Sequence, residues 1–73
     1  MIVVRLDRMM AERKITLRKL SHEVGISEVN LSKLKNGKVK SIRFDTLNRL
    51  CKVLECYPKD LLEFRWDEED IEG

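Results

Sequence analysis

Apolar residues recur at helical spacing in two neighbouring stretches of the chain, and one glycine separates them. In the first stretch Leu17, Leu20 and Val24 follow at i, i+3 and i+7, which places one apolar stripe on a helix of about two turns. Thr16 suits its N-cap, because a threonine hydroxyl can accept a hydrogen bond from a first-turn backbone N–H. Gly25 reaches positive φ without a steric clash, so it predicts the end of this helix and a sharp turn.

A second helix is predicted directly after the turn, with Ser27 as its N-cap and Asn36-Gly37 as a second left-handed stop. Leu31 and Leu34 give it an inward apolar face. On a helical wheel of about 100° per residue, the opposite face carries a branched apolar group, an amide and an ammonium, with a hydroxyl at its border: Val29, Asn36, Lys33 and Ser32. An ordinary surface helix would be expected to carry more paired carboxylates and lysines there.

The start of the chain predicts a helix that braces this pair. Apolar residues lie at helical spacing between Val3 and Lys14, and the segment before them, Met1 to Val3, is compatible with an extended conformation. Leu6 and Met10 are expected to pack on leucines of the other helices, namely Leu20, Leu34 and Leu47.

Two further helices are predicted in the second half. The first is amphipathic and about three turns long, with apolar residues Phe44, Leu47, Leu50, Cys51 and Leu54. Pro58 suits the first turn of a short last helix that turns Leu61 and Leu62 inward. Beyond it, Phe64 to Trp66 is expected either to form a short strand beside Ile2 to Val4 or to contact a partner.

Length and composition argue against several classes of protein. Seventy-three residues make one small domain that buries only about 60% of its unfolded surface, so neither a catalytic cleft nor an internal pocket of roughly 300 Å³ is expected. No apolar run approaches the roughly 18 residues of a membrane span and no secretory signal opens the chain, which favours a cytoplasmic protein. Cys51 and Cys56 are expected to be reduced, because zinc sites usually need four ligands and His22 is remote in sequence. We therefore predict no metal, no cofactor and no enzymatic activity.

The net charge of +2 conceals a strong asymmetry. Residues 1–54 hold thirteen Lys or Arg against five Asp or Glu, which gives +8, whereas residues 55–73 hold two against eight, which gives −6. The first part is basic enough to attract a polyanion. Three cations alternate with uncharged residues in the loop 38–43, which suits either a solvated loop or one that follows a phosphate backbone.

Two sequence runs frame the helix pair. Thr16 to Ser27 reads T-L-x-x-L-S-x-x-x-G-I-S, and Leu31 to Lys38 reads L-S-x-L-K-N-G-K, with an apolar helix after it. In these runs, and over about residues 3–63, the chain resembles the Cro/phage-repressor (XRE) family of bacterial and phage DNA-binding regulators. The resemblance implies an all-α, compact five-helix bundle with a helix-turn-helix, the lambda-repressor-like DNA-binding domain, in residues 1–63. Residues 64–73 would then form an acidic tail.

This resemblance also assigns roles to side chains. The helix 27–36 would enter the major groove of double-stranded DNA, where each base pair presents a distinct pattern of donors and acceptors. Base contacts are expected from Glu28, Val29, Asn30, Ser32 and Lys33. Phosphate contacts are expected from Thr16, Arg18, Ser27, Asn36, Lys38, Lys40 and Arg43. Arg43 also suits an approach to the minor groove, and Glu28 has the alternative role of stabilising its helix through the dipole by roughly 0.3–1 kcal/mol.

Two positions depart from the better-known phage repressors. Leu17 stands where those proteins often have a glutamine that supports the DNA contacts. Lys35 stands where a glutamate commonly pairs with an arginine of the first helix, and that helix offers Met10 here. The predicted function is a sequence-specific transcriptional regulator that acts as a homodimer. The alternative is a protein-interaction module, an antitoxin or an adaptor, that uses the acidic tail and Trp66.

Overall fold

Five helices and a two-stranded ribbon make up the fold. The computed structural model describes residues 1–66. The elements are β1 (Ile2–Val4), α1 (Leu6–Arg13), α2 (Leu17–Val24), α3 (Glu28–Lys35), α4 (Phe44–Leu54), α5 (Pro58–Leu61) and β2 (Leu62–Phe64). The predicted five-helix bundle with a contact between strands at the two ends of the chain is therefore confirmed.

Leucine and methionine side chains from all five helices fill one core. The buried apolar residues are Leu6, Met9, Met10, Leu20, Val24, Leu31, Leu34, Leu47, Leu50, Leu54 and Leu61. The predicted partners of Leu6 and Met10 all belong to this cluster. Each fully buried leucine stabilises the fold by about 1.5–3 kcal/mol relative to its exposed state. Helices α2 and α3 are thus held at a definite angle by their inward stripes.

Short-range hydrogen bonds define the ends of α2 and α3. The hydroxyl of Thr16 accepts a bond from the backbone N–H of Lys19 at 3.1 Å, and that of Ser27 accepts one from Asn30 at 3.2 Å. Gly25 closes α2 in the left-handed region, at φ 71°. These caps lie where the sequence predicts them, so the turn between the two helices is determined locally.

Helix α1 is shorter than the spacing of its apolar residues predicts. It begins at Leu6 instead of Val3, because Ile2–Val4 forms strand β1. The β-branched residues of this segment pair with the far end of the chain, and the backbone N–H of Arg5 donates to the carbonyl of Leu61 at 2.6 Å. These bonds keep the chain extended up to Arg5.

The prediction for the C-terminal strand was wrong by two residues. Strand β2 runs from Leu62 to Phe64, antiparallel to β1, instead of from Phe64 to Trp66. Helix α5 has only one turn, and Leu62 already has extended dihedrals, φ −120° and ψ 140°. Leu62 consequently packs on the core from a strand and not from a helix. The acidic residues 67–73 lie outside the described part of the chain.

The exposure of Phe44 also differs from the prediction. The helical spacing of α4 assigns it to the inward stripe, yet its side chain is 88% exposed. Phe44 is the first residue of α4 and lies about 60° around the helix from Leu47. The buried stripe of α4 therefore begins at Leu47 and not at Phe44.

Candidate nucleic-acid interface

Helix α3 presents its outer face to solvent. Leu31 and Leu34 are buried in the core, whereas Val29, on the opposite side, is 66% exposed. Of the other residues predicted to contact bases, Glu28, Asn30 and Lys33 are exposed and Ser32 is half-buried. The side chains of this face are therefore accessible to a ligand as large as a DNA duplex.

One shallow hollow gathers most of the predicted contact residues. It has a volume of about 410 Å³ and is lined by Glu28, Val29, Ser32, Lys33, Asn36 and Lys38. Asn36 donates from its side-chain nitrogen Nδ2 to the hydroxyl of Ser32 at 3.3 Å, which ties the last turn of α3 to this surface. Four of the five base-contact candidates thus share one surface with two phosphate-contact candidates.

Asn30 lies on the other flank of α3. It lines a separate hollow of about 210 Å³, together with Lys33, Arg43, Thr46 and residues of the loop 38–43. Arg43 caps the N-terminus of α4 through its backbone. Lys33 lines both hollows, so α3 is bordered by cations on two sides.

The remaining phosphate-contact candidates are exposed but spread more widely. Thr16, Arg18, Ser27, Lys38 and Lys40 all face solvent. The hydroxyls of Thr16 and Ser27 accept cap bonds, which leaves their O–H protons able to donate to a phosphate oxygen. Thr16 lines a different hollow from Lys38, next to Lys35. The structure therefore does not gather all seven into one cluster.

The cations beside α3 have no carboxylate partner within residues 1–66. The ion pairs in that part of the chain join Arg5 to Asp7 at 3.9 Å and Arg49 to Asp45 at 3.1 Å. Neither pair involves the lysines and the arginine that border α3, namely Lys33, Lys38, Lys40 and Arg43. Their charge is therefore not offset locally, apart from the single carboxylate of Glu28 at the start of the helix.

The two departures from the phage-repressor pattern are accommodated by packing. Leu17 is half-buried and packs against the core. Met10 is buried and lines the same hollow as Lys35 and Asp7. Leu17 and Met10 therefore contribute apolar packing at these positions, and Lys35 stays exposed.

One large surface feature was not predicted from the sequence. An open groove of about 830 Å³ lies between α4 and α5. It is an indentation of the surface and not an enclosed cavity. Two features of the sequence could have indicated this groove. Phe44 lies at the edge of the apolar stripe of α4, and Tyr57 and Pro58 come just after that helix.

The described residues show neither a metal centre nor a membrane span. Within residues 1–66, no group of three or more His, Cys, Asp or Glu side chains is arranged to hold a metal ion. No helix in the same range has the length and apolar character needed to cross a bilayer. Cys51 and Cys56 are free thiols. Burial, followed by the neighbouring Cys51, raises the pKa of Cys56 from its usual 9.0 to about 11, so this thiol is neutral at physiological pH.

Known proteins are similar to this chain in sequence and in fold. A family model described as the Cro/C1-type HTH DNA-binding domain matches residues 5–67. The uncharacterized HTH-type transcriptional regulator YozG of Bacillus subtilis (strain 168) is 53% identical over 68 residues, which make up 93% of this chain and 81% of that protein. The crystal structure of a putative DNA-binding protein from Bacteroides fragilis has a TM-score of 0.78 and 27% identity, covering 86% of this chain and 100% of that one. The chain therefore belongs to the Cro/C1-type helix-turn-helix family of DNA-binding transcriptional regulators.

Proposed function

We propose that this chain is a sequence-specific transcriptional regulator that inserts the helix 27–36 into the major groove of double-stranded DNA and binds as a homodimer in the cytoplasm. The observation that carries the proposal is the uncompensated positive charge around the exposed face of α3. Cations without carboxylate partners attract phosphates, and the outer face of a helix fits the major groove. The name of the Bacillus relative, a transcriptional regulator, supports the same function.

Side chains in the hollow of about 410 Å³ would read base edges. Lys33 can donate to O6 or N7 of guanine, Val29 can pack on a thymine methyl, and Glu28 can accept from N4 of cytosine. Ser32 borders the same surface. Asn30 lies on the flank next to the loop 38–43. It would contact a base at the edge of the DNA segment that one copy of the protein covers.

Phosphate contacts would set the register and supply most of the affinity. The candidates are Thr16, Arg18, Ser27, Asn36, Lys38, Lys40 and Arg43, through side chains or through the amides at the starts of α2 and α3. About four to six phosphates per copy would be neutralised. The binding unit is residues 1–63, with residues 64–73 as an acidic tail; strand β2 crosses that boundary at Phe64.

The test is a fluorescence-anisotropy titration of a labelled mixed-sequence duplex at two salt concentrations. We expect the wild-type protein to bind, with affinity that falls steeply as salt rises. Changing Lys33, Lys38 and Lys40 together to alanine should weaken binding by about 100-fold or more at low salt, because one base contact, two phosphate contacts and three positive charges are lost.

A charge-matched variant serves as the control for this titration. Lys52, Lys59 and Arg65 are exposed and lie outside the two hollows beside α3, so their joint change to alanine removes the same charge from elsewhere. This control should retain most of the affinity. If both triple variants lose affinity equally, binding reflects net charge and not the α3 surface, and the proposal fails.

One observation favours the alternative of a protein-interaction module. Trp66 is 83% exposed and rests edge-on against Phe64, with 4.6 Å between ring centroids. An exposed tryptophan is typical of a binding surface for another protein. A folded wild-type protein that does not bind any duplex at low salt would favour this alternative.

A further inference from the structure

A large, mainly apolar groove lies between α4 and α5. It is lined by Phe44, Asp45, Leu47, Asn48, Cys51, Cys56, Tyr57, Pro58 and Leu62. Phe44 is 88% and Tyr57 69% exposed. Asp45 is the one carboxylate in this lining, and it already pairs with Arg49. The groove is therefore close to electrically neutral.

The ribbon continues this apolar surface. Leu62 lines the groove and is the register partner of Val4, and Phe64 is the partner of Ile2. Because residues two apart in a strand point to the same face, Ile2 and Phe64 extend the face on which Leu62 lies. Trp66 then packs against Phe64. We call the groove together with this ribbon face the apolar flank.

The aromatic side chains of the apolar flank expose an area suited to a protein interface. With about 200 Å² for each aromatic side chain and the observed exposures, Phe44, Tyr57, Phe64 and Trp66 present roughly 500–600 Å² to water. A stable protein–protein interface buries about 800 Å² on each partner. These four residues would therefore supply most of the surface area that one partner buries in such an interface.

The apolar flank lies away from the surface proposed to bind DNA. Around α4, the groove residues Phe44, Asn48 and Cys51 lie about 40–100° from Leu47. Thr46, which lines the hollow next to Asn30 and Lys33, lies at about 260°, on the opposite side of the helix. An occupant of the groove would consequently leave α3 free.

We propose that the apolar flank binds the same surface of a second copy of this chain and so forms the two-fold dimer. Such an interface is self-complementary, and a neutral surface can meet its own copy without the repulsion that the basic α3 face would cause. Half-sites on one face of DNA are about 34 Å apart. The domain measures 40, 21 and 20 Å along its principal axes, so a pair of copies is large enough to hold two α3 helices about 34 Å apart. The inference deepens the proposed function and depends on it only for this spacing argument.

Sedimentation equilibrium over about 1–100 µM tests the proposal with a pair of matched variants. Phe44→Glu places a charge in the groove, and Val29→Glu places one on α3. Both side chains are largely exposed, so neither change removes core packing. We expect the wild type to reach twice the monomer mass of 8.7 kDa. F44E should raise the dimer Kd by at least about 30-fold, as loss of an interface hot spot does, and V29E should leave it unchanged.

Two results would overturn the interface. One is a wild-type protein that stays monomeric at the highest concentration, which would leave the groove to a different protein or to an apolar ligand. The other is association that V29E weakens and F44E does not. Anisotropy at low salt separates this failure from failure of the proposed function, because monomeric F44E should still bind a mixed-sequence duplex. Conversely, a wild-type dimer that binds no duplex would contradict the function and leave the interface standing.

Discussion

At the level of single residues, four helices are followed by a residue with left-handed backbone dihedrals, and only two of these residues are glycines. Gly25 and Gly37 adopt positive φ after α2 and α3, as their lack of a Cβ permits. Lys14 and Glu55 do the same after α1 and α4, at φ 53° and 51°. A residue with a Cβ loses roughly 1–2 kcal/mol in this conformation. The ends of α1 and α4 therefore carry local strain that the ends of α2 and α3 avoid.

Replacement of Glu55 by glycine should stabilise the protein. The expected gain in the free energy of unfolding is about 0.5–1 kcal/mol, because relief of the left-handed crowding exceeds the entropy that glycine loses on folding. Urea unfolding followed by circular dichroism measures it. Asn36→Gly is the control: Asn36 ends α3 at φ −92°, so glycine relieves no left-handed strain there, and loss of the bond to Ser32 should lower stability slightly. Equal gains from the two changes would show that left-handed strain is not the cause.

At the level of elements, α4 is anchored to α1 by one side chain. The guanidinium of Arg13 donates from Nε to the carbonyl of Leu54 at 2.8 Å and from Nη2 to that of Glu55 at 3.1 Å. The last carbonyls of a helix lack intrahelical partners, and a cation there also interacts favourably with the helix dipole. Arg13 thus fixes the end of α4 that adjoins the groove.

Arg13→Ala should lower the free energy of unfolding by about 1–2 kcal/mol, since two charge-assisted bonds to helix-end carbonyls are lost. Arg13→Lys should recover only part of this loss, because an ammonium does not reproduce the planar fork of a guanidinium. The control is Arg18→Ala, whose side chain is exposed and has no hydrogen bond or ion pair to other residues in the range 1–66. A thermal melt that places R13A and R18A at the same Tm would rule out this anchoring role.

At the level of the whole molecule, the charge distribution predicts how binding responds to salt. The net charge of +8 in residues 1–54 belongs to the part of the chain that includes α3. The net charge of −6 belongs to residues 55–73. If each copy neutralises about four to six phosphates, log K should fall with log salt by about 4–5 per copy. A dimer on two half-sites should show about twice that slope.

We therefore expect different salt slopes for the wild type and for F44E on a duplex of about 20 base pairs, long enough for two half-sites. The wild type should give a slope of about −8 to −10, and the monomeric F44E about −4 to −5. Anisotropy titrations at four or more salt concentrations supply both values. Lys52→Ala lowers the net charge by one, as F44E does, but lies outside both the groove and the hollows beside α3, so it should share the wild-type slope. Identical slopes for the wild type and F44E would mean that the two proteins bind with the same stoichiometry.

The sequence by itself determined the helix-turn-helix and most of the core. Thr16, Gly25 and Ser27 act on neighbours a few residues away, through caps and a left-handed turn, so their effect can be read from local spacing. The apolar stripes of α2 and α3 are equally local: Leu20, Val24, Leu31 and Leu34 are buried where the spacing predicts, and Leu17 is half-buried at the edge of the core. The roles of α3 side chains toward DNA stay predictions, because they depend on a partner that the chain does not contain.

Only the tertiary structure decided the start of α1, the register of the ribbon and the exposure of Phe44. Ile2 pairs with Phe64, a residue 62 positions away, and no local pattern specifies which of several apolar residues such a distant strand will face. Phe44 has helical spacing compatible with burial, but burial requires another element to cover that end of α4, and within the described residues none does. Local patterns specify helices, whereas strand pairing and coverage of a surface depend on contacts between distant parts of the chain.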